Sequence, residues 1–196
     1  MPSSVINWND QDNNNAFHAK SIINDFNGSM SIELAQIDRK EEYNDQITHG
    51  LPNGNDGKPL PAQIGEFGAV IPKGVKNVAL AKEFLKYAIQ PEVLNKYLKG
   101  GLGRWAVPYP SIIKSDPFWL QSGDPHRLAY ITETMVGPTF PLYEAYSPAV
   151  AQIDSEHVFQ LAFADITRNG MKPEAAAAKA FKRAEEVFAK YPIQQT

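Results

Sequence analysis

The chain has 196 residues, 43% of them hydrophobic and 21% charged, with a formal net charge of −3. That is a globular balance, long enough for one large domain or parts of two, and it lacks the basic surface that nucleic acid requires. No apolar run approaches the ~20 residues of a membrane span, and the absence of cysteine excludes disulfides, thiolate metal sites and a cysteine nucleophile.

Residues 7–15 are rich in Asn and Asp, which favour turns and helix caps. A short helix is expected through Ala16, Phe17 and Ala19, then a short strand from Ser21 to Phe26 ending in the turn Asn27-Gly28. Ser29 or Ser31 is expected to cap a helix carrying Ile32, Leu34 and Ile37, with a polar helix following near Glu41 to Ile47. Residues 49–63 read as loop from their Gly, Asn and Pro content, and a strand is predicted from Ile64 to Ile71, ended by Pro72.

Asn77 reads as a helix cap. Val78, Ala81, Phe84, Leu85 and Ala88 follow at helical spacing, and Pro91 ends or restarts the run. Val93, Leu94, Tyr97 and Leu98 form a second helix that stops at Gly100-Gly101. Short helices are predicted around Ser111 to Leu120 and from Pro125 to Met135. Ser147-Pro148 opens a long helix that places Val150, Ile153, His157, Leu161 and Ala164 on one face and closes at Asn169-Gly170. Pro173 opens the last helix, with Ala177, Ala180, Phe181, Ala184, Val187 and Phe188 as its buried stripe. The pattern is helix-rich α/β with too few strands for a complete sheet.

Catalytic and metal motifs are weak. Asp10, Asp12 and Asn14 alternate as in a calcium loop, but Asn15 and Ser21 stand where glycine and glutamate are needed. The four histidines, His18, His49, His126 and His157, lack metal-binding spacing. No Gly-x-Ser-x-Gly elbow is present, and Gly100-Gly101-Leu102-Gly103 lacks dinucleotide-binding spacing. No metal or cofactor is expected. What stands out is Trp, Tyr, Asn, Asp and Arg in predicted loops, with Trp8 in Asn7-Trp8-Asn9-Asp10 and Trp105 beside Arg104. Aromatic faces cover the C–H faces of sugar rings, while amides and Arg hydrogen-bond hydroxyls. Trp119, in Asp116-Pro117-Phe118-Trp119-Leu120, reads as core.

Four stretches in order carry a resemblance. They are residues 16–29, with Asp25-Phe26-Asn27-Gly28-Ser29; residues 65–77, with Ala81-Lys82-Glu83-Phe84-Leu85 after them; Gly103-Arg104-Trp105-Ala106-Val107-Pro108; and Asn169-Gly170-Met171-Lys172-Pro173-Glu174-Ala175. Together they resemble the sugar-binding class of the extracellular solute-binding proteins of ABC importers (family 1, maltose-binding-protein-like). The resemblance implies part of a periplasmic-binding-protein (type II) fold, mainly the C-terminal lobe. Residues 1–60 and 106–196 would form that lobe, and residues 64–103 a segment of an N-terminal lobe whose remainder the chain lacks. It implies a binding protein and not an enzyme, with a sugar or polyol as ligand and a membrane permease as partner, without direct membrane insertion. The full-length protein would be periplasmic or extracellular, although Met1-Pro2-Ser3-Ser4 opens no signal peptide.

The resemblance places ligand contacts at Asn27, Gly28, Ser29 and Met30, at Glu66 and Phe67, at Arg104 and Trp105, and at His157; Trp8 is added on chemistry alone. Where maltose-binding protein has an aromatic after Asn-Gly-Pro, this chain has Ser29 and Met30, so that aromatic platform is absent. A glycoside-processing enzyme fragment and a helical protein-interaction module are the alternative functions.

Overall fold

The computed structural model describes residue 5, residues 7–65 and residues 67–191. It forms two compact units: residues 8–140, and residues 141–191 with residues 5 and 7. The architecture is helix-rich with one small two-stranded sheet, compatible with α/β. No helix among the described residues is long and apolar enough to cross a membrane.

The first unit opens with α1 (Asp12–His18), α2 (Ser31–Leu34) and α3 (Lys40–Asp45), then β1 (Ala62–Ile64). Helices α4 (Val78–Ala88) and α5 (Pro91–Gly100) follow, then α6 (Pro110–Ser115), α7 (Pro117–Leu120) and α8 (Pro125–Ile131). A π-helical turn, Thr132–Val136, extends α8 toward β2 (Thr139–Pro141), which pairs with β1. Prolines at the first helical turn start α5, α6, α7 and α8, because a fixed φ suits a position whose N–H has no helical partner. Asn77 caps α4 as its sequence predicts, accepting the Leu80 N–H at 2.9 Å.

Val107, Ile113, Trp119 and Ile131 form the core of this unit, with Leu94 and Leu98 of α5 packed against it. Trp119 is fully buried, as its apolar context suggests. A polar network ties α5 to α7. Asn95 accepts the Trp119 indole N–H at 2.9 Å and donates to Asp116 at 2.8 Å. Asp116 also accepts from Lys99 at 2.8 Å and caps α7 through the Phe118 N–H at 3.0 Å. Those donors hold the Asp116 carboxyl at about 2, Lys99 contributing most and Asn95 next.

In the second unit α9 (Pro148–Ser155), α10 (Val158–Thr167) and α11 (Pro173–Phe188) pack around Ala149, Ile153, Val158, Ala180, Ala184 and Val187. Ser147 caps α9 through the Ala149 N–H at 3.2 Å, and Pro148 takes the first helical position.

Several sequence expectations are corrected. Residues 21–26 form no strand: Ile23 and Phe26 stand in solvent, and no described strand lies beside them to take their backbone hydrogen bonds. The strand predicted over 64–71 is β1 instead, ending at Ile64, because β2 offers only three residues to pair with. Helix α2 starts at Ser31, with Met30 and neither candidate serine at its cap position and no side-chain cap; Ile37 lies beyond it. The long helix from Pro148 is two helices. His157 adopts a left-handed conformation at φ 53° and separates α9 from α10, so it is exposed and not on a continuous apolar face. On α11 the buried stripe is Ala176, Ala180, Ala184 and Val187. Ala177, Phe181 and Phe188 are exposed; small residues let α11 approach its neighbours closely, and Phe181 meets Phe159 of α10 edge-to-face at 5.9 Å.

Candidate functional site

The first unit gathers sequence-distant candidates at one place. Helix α5 is closed by a turn in which the Gly103 N–H bonds to the Leu98 carbonyl at 3.0 Å. Leu102 and Gly103 both take positive φ there. A side chain at Gly103 would press within 3.1–3.3 Å of Arg127, Phe118 and Trp119, so glycine serves both the backbone conformation and the close approach. Arg127, stacked 3.9 Å from the Phe118 ring centroid, donates to the Leu102 carbonyl at 3.3 Å and locks the turn. This delivers Arg104 and Trp105 to the surface.

A second loop is fastened to that turn. The Met30 N–H donates to the Arg104 carbonyl at 3.2 Å. Met30 is buried, so its side chain anchors the loop in the interior instead of facing solute. Ahead of it, the Asn27 side chain organises the loop. Its carbonyl oxygen accepts the Ser29 N–H at 3.0 Å and the Ser31 hydroxyl at 3.3 Å, and its amide donates to Asn14 at 2.9 Å. Asn14, buried on α1, donates in turn to Ser31 at 3.0 Å. Asn27 and Gly28 are exposed, and a side chain at Gly28 would meet nothing within 4 Å.

The third element is Phe67. Its ring meets Trp105 edge-to-face, with centroids 5.3 Å apart at 70°. Arg104 lies 4.6 Å from the Trp105 ring centroid. Phe67 is 84% exposed and Trp105 37%, so the pair forms an aromatic corner open to solvent with a guanidinium stacked on it. No protein-family model matches this chain, and comparison with curated proteins finds no match. The functional reading therefore stands on this geometry and on the sequence resemblance.

The structure bonds Met30, at the end of the Asn27–Met30 loop, to Arg104, and packs Phe67 on Trp105. Glu66 lies outside the described residues. Trp8 is half-buried at the start of the first unit. His157 belongs to the second unit, where it is exposed at the α9–α10 break.

Sequence reading misses the groups behind this site. Asn14 and Ser31 shape the Asn27 loop, and their only signal is a polar residue on a short helix. A deeper network is also unannounced. Thr48 lies 2.5 Å from a Glu33 carboxylate oxygen and 2.8 Å from His126 Nδ1, and His126 Nε2 lies 2.9 Å from the Tyr43 carbonyl. A carbonyl only accepts, so Nε2 carries a proton. Tyr43 donates its hydroxyl to Asp124 at 3.0 Å; burial, then that carboxylate, pushes the Tyr43 pKa well above its ordinary value. These contacts tie α2, α3 and α8 together beneath the surface loops, while the second Glu33 carboxylate oxygen is buried without a hydrogen-bond partner.

A groove of about 250 Å³ in the second unit lies along α10 and α11, over Val158, Leu161, Ala162 and Ala180. Its charged rim is already paired. Arg183 grips both Glu156 oxygens at 2.7 Å, and Lys179 holds Asp165 at 2.7 Å. Those contacts hold the Glu156 carboxyl at about 2, Arg183 first and Gln152 next, and lower Asp165 through Lys179 and then Asn169. Spent charges leave this groove without directional groups for a polar ligand, unlike the aromatic corner.

Proposed function

We propose that this chain is the C-terminal portion of a sugar-binding solute-binding protein of an ABC importer, and that the aromatic corner of its first unit contacts a sugar or polyol. The observation that carries the reading is the convergence of three sequence-distant stretches: the Asn27–Met30 loop bonded to Arg104, and Phe67 packed on Trp105. The resemblance selects these same residues without reference to their spacing in three dimensions. Exposed rings suit the apolar faces of a pyranose, and the guanidinium suits its hydroxyls.

In this reading residues 1–60 and 106–196 belong to the family's C-terminal lobe and residues 64–103 to its N-terminal lobe. Leu80, Phe84 and Tyr97 on α4 and α5 are all exposed, which fits a face covered by the rest of that lobe. The mechanism has no covalent step. The lobes close on the solute by a hinge motion, and the closed form docks on a permease. Closure is favoured only by contacts that the solute makes to both lobes. The location is periplasmic or extracellular. The same exposed α4–α5 face is what a helical interaction module would present, and capture of a protein partner with no sugar response would favour that second reading.

A thermal-shift screen of sugars and polyols on the full-length protein tests the proposal. A ligand at a hundredfold excess over its Kd stabilises the native state by about 2.7 kcal/mol. Trp105→Ala and Phe67→Ala should each weaken that ligand about tenfold or more, since each removes a stacking face. A screen without a stabilising sugar, or full affinity in both variants, removes the corner as the site.

A further inference from the structure

We infer that the solute bound at this corner is an anionic sugar, one bearing a carboxylate or a phosphate that pairs with Arg104. The inference rests on the sugar-binding reading and names the substrate class of the same site.

Four basic side chains among the described residues are wholly or partly buried: Lys99, Arg104, Arg127 and Arg183. Three have a carboxylate partner. Lys99 pairs with Asp116 at 2.8 Å, Arg127 with Asp124 at 3.2 Å, and Arg183 with Glu156 at 2.7 Å. Arg104 pairs with none among the described residues; its Nε is buried without a hydrogen-bond partner, as is that of Arg127, so what sets Arg104 apart is the missing carboxylate. Its backbone is already committed, the N–H to the Gly101 carbonyl at 3.1 Å and the carbonyl to Met30 at 3.2 Å. The guanidinium rests on the Trp105 ring, not on an anion.

A partly buried guanidinium with no anionic partner is costly. A fixed cation poised on an exposed aromatic pair, with its donors unspent, is an arrangement completed by a ligand. Carboxylate and phosphate are the groups whose oxygens match the guanidinium fork in bidentate fashion, whereas sugar hydroxyls give weaker, neutral acceptors. Phe67 and Trp105 supply the surface for the ring that carries the anion. The recognised solute is therefore a uronic acid, an oligosaccharide containing one, or a sugar phosphate.

Matched ligands separate the possibilities. Titration calorimetry on the full-length protein would compare galactose with galacturonate, and glucose with glucuronate and glucose 6-phosphate. The acidic member of a pair should bind at least tenfold tighter, and the carboxylate and phosphate arms identify which anion is preferred. Raising salt from 50 to 500 mM should weaken the acidic ligand and leave the neutral one nearly unchanged. Arg104→Ala should abolish the acid preference. Arg104→Lys should keep part of it, and Arg104→Gln gives a neutral variant of similar length if alanine fails to fold. Equal binding of acidic and neutral partners, or an acid preference that survives Arg104→Ala and Arg104→Gln, overturns the inference while leaving the sugar site intact. Absence of binding by every sugar, neutral or acidic, overturns the sugar-binding reading and this inference together.

Discussion

Trp119→Ala should cost the first unit about 3–5 kcal/mol, the range for truncating a large buried aromatic. Trp119 is fully buried and packs with Val107, Ile113 and Ile131 in the core cluster. Its removal leaves a cavity that α7, only four residues long, has little means to close by moving alone. A further cost is polar. The indole N–H satisfies Asn95 at 2.9 Å, and Asn95 in turn supports Asp116. Trp119→Phe keeps much of the volume but orphans the Asn95 carbonyl oxygen, which predicts a smaller loss of about 1–3 kcal/mol. Urea unfolding followed by a probe inside the first unit measures both. A loss below about 1 kcal/mol for the alanine variant would mean that this cluster is not the unit's core.

Asp116→Ala should destabilise the same unit by about 2–3 kcal/mol, combining loss of a helix cap with loss of charge-assisted hydrogen bonds. One carboxylate serves three donors: Lys99 and Asn95 on α5 and the Phe118 N–H that opens α7. The same contacts give a pH signature. The native carboxyl titrates at about 2, below its ordinary value of 3.8. A depressed native pKa stabilises the fold above the ordinary value, and that contribution disappears as pH falls from about 4 to 2. The size is about 2.5 kcal/mol at most, since one pKa unit corresponds to roughly 1.4 kcal/mol. Glu156 in the second unit is also held at about 2, so the informative comparison is between the wild type and Asp116→Asn. The variant should lose less stability over that acid window when the first unit is followed. Identical acid profiles would show that Asp116 is not preferentially ionised in the native state.

Helix starts were the most legible feature of the chain, because their cause is local. Proline at the first helical position, Asn77 and Ser147 each act within a few residues, and the structure places helices where they stand. Strands were poorly legible, because pairing depends on a distant segment: β1 extends only as far as β2 offers partners. The break at His157 escaped periodicity because apolar spacing continues on both sides of it. A left-handed residue that is not glycine carries no pattern in a hydrophobic repeat. On α11 the spacing was right and the choice of face was shifted, since alanines and phenylalanines both fit a helical stripe and only packing decides between them.

The candidate site divides in the same way. Trp105 and Arg104 are visible as chemistry in a loop, and Phe67 and the Asn27–Met30 loop through the resemblance. That Met30 reaches Arg104, and that Phe67 meets Trp105, depends on long-range backbone placement that no local signal encodes. The supporting groups, Asn14, Ser31 and the Glu33–Thr48–His126 network, are ordinary polar residues until folding gives each a partner.

The most direct test of the account uses the indole N–H signals of Trp8, Trp105 and Trp119 in a nitrogen–proton correlation spectrum of the protein. They can be assigned through single substitutions by Phe. With the most stabilising sugar from the screen added to saturation, the Trp105 signal should shift while the buried Trp119 signal stays in place. A saturating sugar that leaves the Trp105 indole unmoved would contradict the assignment of the aromatic corner as the place where solute is bound.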